Sequence, residues 1–139
     1  MRKSTLPLVV AWALACAGCG SPAGIYPVSG KVLYKGEPAV GATVSFVRKG
    51  GAGPQDHVPQ GVVGEDGRFS LASPLGAGAA PGEYAVLVEW KTGAGVTRGR
   101  NPGPGAPDRL GRRYLDAGRP LLTATVEAKT NSLPPFELQ

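Results

Sequence analysis

Side chains that catalyse or ligate are scarce in this sequence. It has one histidine, His57, and two cysteines, Cys16 and Cys19. His57 follows Asp56, and an aspartate can orient an imidazole. Sequence neighbours seldom form a catalytic dyad, however, and His57 reads as an exposed loop residue. Glu65 and Asp66 precede Gly67, where turn chemistry accounts for both, and no further Asp follows at the spacing of a calcium loop. Glycoside hydrolysis needs two carboxyls opposed across a cleft, and none of the ten acidic residues singles out such a pair. Gly93-Ala-Gly95 lacks the Lys-Ser/Thr of a phosphate loop. No catalytic residue, metal site or cofactor is expected.

Arginine is the exception. The segment 91–119 holds Arg98, Arg100, Arg109, Arg112, Arg113 and Arg119 with Lys91, against only Asp108 and Asp116. Planar guanidinium forks suit carboxylate and phosphate groups. These six arginines are the candidate contact with an anionic surface, a glycan or an acidic protein. Nucleic acid is not expected as a partner, because only Tyr114 interleaves with the arginines as a stacking platform.

The elements that must carry this segment are short and extended. Gly and Pro together make 36 of 139 residues, about a quarter, with no Gly-X-Y period. Long helices and collagen are excluded. Period-two alternation marks Val28–Tyr34, Ala42–Val47, Gln60–Gly64, Phe69–Ala72, Gly82–Trp90, Leu121–Ala128 and Pro135–Leu138 as strands. Seven strands joined by turn residues predict an all-β sandwich. Tyr34, Phe46, Phe69, Tyr84, Trp90 and Phe136 fall on or near those strands and read as core. Pro134 and Pro135 predict an edge strand or a bulge. The segment 91–119 reads as a long basic loop.

Ahead of the strands, Arg2 and Lys3 precede the apolar run Leu6–Ala15 and the small-residue exit Cys16-Ala-Gly-Cys19-Gly. That is the layout of a secretory signal peptide, and at ~1.5 Å per residue the run is too short to span a bilayer. A cysteine pair inside a removed segment is a poor redox motif. Ala17-Gly-Cys-Gly20 resembles the lipobox of bacterial lipoproteins. The resemblance implies cleavage after residue 18 and diacylation of Cys19, with Cys16 as the alternative. Residues 1–18 would then be a lipoprotein signal peptide, 19–26 a lipidated tether and 27–139 the folded domain. Losing residues 1–18 removes Arg2 and Lys3, and the net charge falls from +5 to +3. The segment 91–119 alone carries +5, so the positive charge is local to it.

The strands carry a second resemblance. Val28-Ser-Gly-Lys-Val-x-Tyr, Gly36-Glu-Pro-x-x-Gly-Ala-x-Val-x-Phe46, Glu65-Asp-Gly-Arg-Phe69 and Pro81-Gly-Glu-Tyr-x-Val86 resemble the carboxypeptidase regulatory-like, or transthyretin-like, domain. With Arg113-Tyr-Leu-Asp, Pro120-Leu-Leu-x-Ala-x-Val126, Asn131 and Phe136-Glu-Leu138, the chain looks like the small lipoproteins of that class carried by planctomycete bacteria. The resemblance implies a seven-stranded transthyretin-like (Ig-like) β-sandwich, exported to the cell envelope and facing the periplasm or cell surface. It brings no catalytic residues. The expected function is a non-enzymatic accessory or binding module, held to the membrane through its lipid. The alternatives are a small-molecule hydrolase of the same class, favoured by a pocket holding His57 and two arginines, and a structural component that self-associates through an edge such as Pro135–Leu138.

Overall fold

The computed structural model describes residues 24–51, 57–94, 103 and 105–139. The expected signal peptide and Cys16, Cys19, Asp56, Arg98 and Arg100 lie outside the described residues. The described chain is all-β, with no α-helix, and its strands form two sheets in which antiparallel pairing dominates.

In the first sheet, β1 (Val28–Tyr34) is the middle lane. Along one flank it pairs antiparallel with β5 (Arg68–Ser70) and then β2 (Glu37–Pro38). Along the other it pairs parallel with β10 (Asn131–Ser132) and β11 (Phe136–Leu138). The β1–β2 connection is the dipeptide Lys35-Gly36, with φ of 51° and 86°. Two positive φ values make this a primed two-residue hairpin, whose twist matches that of the strands, and glycine takes its place there without steric cost. The second sheet runs β7 (Gly76–Ala77), β6 (Ala72–Ser73), β4 (Gln60–Val62), β3 (Thr43–Arg48), β8 (Gly82–Glu89), β9 (Thr123–Val126), antiparallel throughout.

The seven strands of three residues or more lie where alternation places them, with ends shifted by a residue or two. The count nevertheless departs from seven, because eleven strands form among the described residues. The four extra ones are two residues long and arise in predicted turns or at strand ends. Glu37–Pro38 and Asn131–Ser132 each read as turn in sequence, since two residues are too few to show a period.

The prolines at 134 and 135 sit in a bulge on an edge. Ser29 faces Ser132 and Val32 faces Phe136, so Gly30 and Lys31 oppose three residues, Leu133, Pro134 and Pro135. One surplus residue separates β10 from β11 while both stay on β1.

The sheets close on one apolar core. Val28, Val32, Val44, Phe46, Phe69, Tyr84, Val86, Val88, Val126 and Leu138 are buried. Phe46 bridges the layers, with ring centroids 6.4 Å from Phe69 and 5.7 Å from Tyr84. Tyr34 meets Trp90 edge-on at 5.6 Å, and Phe136 stacks on Phe69 at 6.2 Å. The six aromatics read as core are buried or packed against the core. Tyr114 and Leu110, in the segment that reads as loop, join them. Ala85, on the face of β8 that alternation points outward, is buried as well, beside Ala117, Gly118 and Pro120.

Strand direction gives the molecule two ends. β1 and β8 each rise from the end holding Tyr26, Ala79 and Tyr84 to the end holding Tyr34 and Trp90. At ~3.3 Å per residue those ends are about 20 Å apart.

Candidate functional site

The basic segment is built around one carboxylate. Asp108 bridges back to Lys91 and accepts three backbone N–H groups: Oδ1 from Trp90 at 2.8 Å and Leu110 at 3.2 Å, and Oδ2 from Arg112 at 2.7 Å. Arg109 N–H returns a bond to Trp90 O at 2.7 Å. Thr92 N–H and Oγ1 both donate to Pro107 O. The residues after 105 are thereby fastened across the end of β8. Leu110 and Tyr114 turn inward, and Tyr114 Oη accepts Gln139 N–H at 3.1 Å while its carbonyl accepts Val88 N–H. Asp116 is spent in the same way, accepting Gly118 and Arg119 N–H.

The arginines are left on the outside. Arg109 lays its guanidinium over the Trp90 ring, 3.7 Å from the centroid, a cation–π contact worth about 0.5–2 kcal/mol. Trp90 is only 6% exposed and donates Nε1–H to Val40 O at 2.8 Å, so its ring is roofed by arginine. Arg112 is exposed at φ 62°. Arg113 is exposed, its guanidinium 5.8 Å from the Tyr114 ring. None of the four ion pairs among the described residues involves these three or Arg119.

The predicted set therefore divides. Arg109, Arg112 and Arg113 gather at the Trp90 end. Arg119 is exposed further along the chain, next to Pro120, which lines a surface hollow with Lys49 and Gly50. Arg98 and Arg100 lie outside the described residues. Asp66 Oδ1 accepts Arg68 N–H at 3.0 Å and shapes the turn before β5. Among the described residues no three His, Cys, Asp or Glu side chains group as a metal site.

Alternation did not reveal a second site, at the Tyr26 end. Arg48 and Phe46 share a face of β3, and Arg48 reaches over the end of the core, 5.5 Å from the Tyr84 ring centroid. Its guanidinium makes two long contacts, 3.3 Å to Tyr84 Oη and 3.4 Å to Pro81 O. Tyr84 Oη itself donates to Ala80 O at 2.7 Å. His57, exposed, stands with Arg48 around a cleft of ≈ 60 Å³ whose other walls include Ile25, Val58, Ser73 and Leu75. One arginine accompanies His57 there, where two were the condition that would favour a hydrolase.

Comparison with known proteins finds no family model, no curated protein and no solved structure that matches this chain.

Proposed function

We propose that this chain is a non-enzymatic, lipid-anchored cell-envelope protein, a transthyretin-like β-sandwich of the carboxypeptidase regulatory-like class that serves as a binding module. Three features support this reading: the small-residue exit at Cys19, the quoted strand and turn motifs, and the two-sheet all-β architecture. The observation that carries the binding role is the arginine cluster over Trp90. Both acids of that segment accept backbone N–H groups, so Arg109, Arg112 and Arg113 stand exposed with no carboxylate side chain paired to them among the described residues, Arg113 making one long contact, 3.5 Å, to Gln139 O.

The cluster sits about 20 Å from the end where Tyr26 leads into β1. An anchor at Cys19 attaches the chain at that other end. The arginines then face away from the bilayer, toward an acidic envelope component. An acidic polypeptide fits better than a sugar, because Arg109 covers the aromatic face on which a sugar ring would stack.

The test is binding of the purified full chain to polyglutamate, followed by fluorescence anisotropy across a salt series. Binding should weaken steeply with salt, as exposed charge contacts do. The triple variant Arg109→Ser, Arg112→Ser, Arg113→Ser should bind at least about tenfold more weakly. Equal binding by parent and variant would remove the basic end from the function.

A further inference from the structure

The cleft at the Tyr26 end sets exposed aliphatic side chains around an arginine. Val58 and Leu75, 37% and 58% exposed, are two of the four large exposed hydrophobics among the described residues, and both line it. Ile25, one residue before the bridge that ties Tyr26 to Ala79, lines it too. Among these apolar side chains stands Arg48, half-buried, with no carboxylate within 4.0 Å among the described residues. Among the described residues its contacts, at 3.3 and 3.4 Å, leave most of the guanidinium fork unused. Charged hydrogen bonds to an oxyanion are shorter and stronger than these. The cleft, ≈ 60 Å³, is far below the roughly 300–1,000 Å³ of small-molecule pockets. It has room for the oxyanion of a larger body that stays outside.

Exposed aliphatics grouped around a cation are the pattern of a surface that lies in the headgroup layer of a bilayer. The place of the cleft in the chain adds the occupant. Residues 1–23 precede Gly24, and from Cys19 to Tyr26 an extended chain reaches at most about 25 Å. On the lipid-anchor reading, which this inference rests on, the end holding Ile25 is the end held at the membrane.

We propose that this end docks on the phospholipid surface: Ile25, Val58 and Leu75 enter the headgroup layer, and Arg48, with His57 beside it, holds a lipid phosphate. The sandwich then stands upright on its tether instead of swinging freely, with Arg109–Arg113 directed outward.

The experiment uses the full chain recovered from membranes, its acyl mass measured, and reconstituted in vesicles of phosphatidylethanolamine with about 30% phosphatidylglycerol. Leu75→Cys, Val58→Cys and Arg112→Cys carry one environment-sensitive fluorophore each, and nitroxide lipids serve as quenchers. Labels at positions 75 and 58 should be quenched at least about threefold more than the label at 112. Adding Arg48→Gln should bring the difference down by half or more, because the phosphate contact is lost.

Equal quenching at all three positions, with acyl mass present, overturns the docking and leaves the anchor intact. A label at 75 shielded from water but unquenched by lipid means a protein covers the cleft, a second copy or another chain, and also overturns it. Absence of acyl mass overturns the anchor and the docking together. All three labelled sites are exposed, and an unchanged unfolding midpoint confirms that the variants fold.

Discussion

At the scale of single residues, two positions decide more than their size suggests. Asp108 satisfies three N–H groups, one of them on Trp90, 18 positions earlier in the chain, and no other acceptor stands there among the described residues. Replacing Asp108 with Ala should cost about 2–4 kcal/mol, because half-buried donors lose a charged acceptor. Asp108→Asn should cost roughly half of that, since one oxygen survives and the new amide faces the Arg112 donor. Urea titration checks both, and an Asp108→Ala chain as stable as the parent would show the segment to be held by other means. Gly30 is the second such position. It faces Phe69 across the β1–β5 ladder, and a Cβ built on Gly30 would lie 2.8 Å from the Phe69 ring. Gly30→Ala should destabilise by about 1–3 kcal/mol through overpacking. Combined with Phe69→Leu, its added cost should shrink, which a double-mutant cycle reads directly.

At the scale of elements, the bulge between β10 and β11 makes a sharper prediction. Leu133–Pro135 holds one residue more than β1 opposes. Deleting Pro134 leaves equal numbers on the two strands, and both Asn131–Ser132 and Phe136–Leu138 keep their partners. That deletion should cost no more than about 2 kcal/mol. Deleting Glu137 instead moves Leu138 to the opposite face and takes a buried side chain out of the core, costing about 3 kcal/mol or more. If the two deletions proved equally damaging in thermal unfolding, the bulge would not be the one tolerant point of this edge.

The same elements mark what the sequence made legible. Val28–Tyr34 and Gly82–Glu89 declare themselves because side-chain alternation is a local signal, and their valines and Tyr84 are indeed buried, with Tyr34 packed against the core. The two-residue strands carry no period, so Glu37–Pro38 and Asn131–Ser132 read as turns. Asp108 and Tyr114 escaped for a different reason. Their partners, Trp90 and Gln139, lie 18 and 25 residues away, and nothing in the neighbouring sequence marks those pairings. The arginine cluster was legible as composition, but its position at one end depends on where that fastening holds it. The Arg48 cleft was hidden because alternation ends the strand at Val47, whereas Arg48 still belongs to it and continues the face of Val44 and Phe46.

At the scale of the whole molecule, the long strands β1 and β8 set an axis with a guanidinium over an aromatic ring at each end: Arg48 over Tyr84, Arg109 over Trp90. The two caps differ in what surrounds them. Aliphatic side chains ring the first, and further arginines flank the second. This asymmetry predicts that ionic strength separates the two proposed contacts. Raising salt from about 0.05 M to 0.5 M should release polyglutamate from the Arg109 end while the lipid quenching at position 75 largely persists, since apolar burial is not screened. Simultaneous loss of both signals would mean that one electrostatic surface serves for the two.

The middle lane of the first sheet is the earliest strand of the described chain, and the lane beside it is the latest. β1 gains β10 and β11 only when residues 131–138 are present. Contacts of such sequence separation form slowly, because the intervening chain must be brought round before they contribute. A chain emerging from a ribosome therefore cannot finish this sheet early, and its edge beside β1 stays open until the last strand arrives.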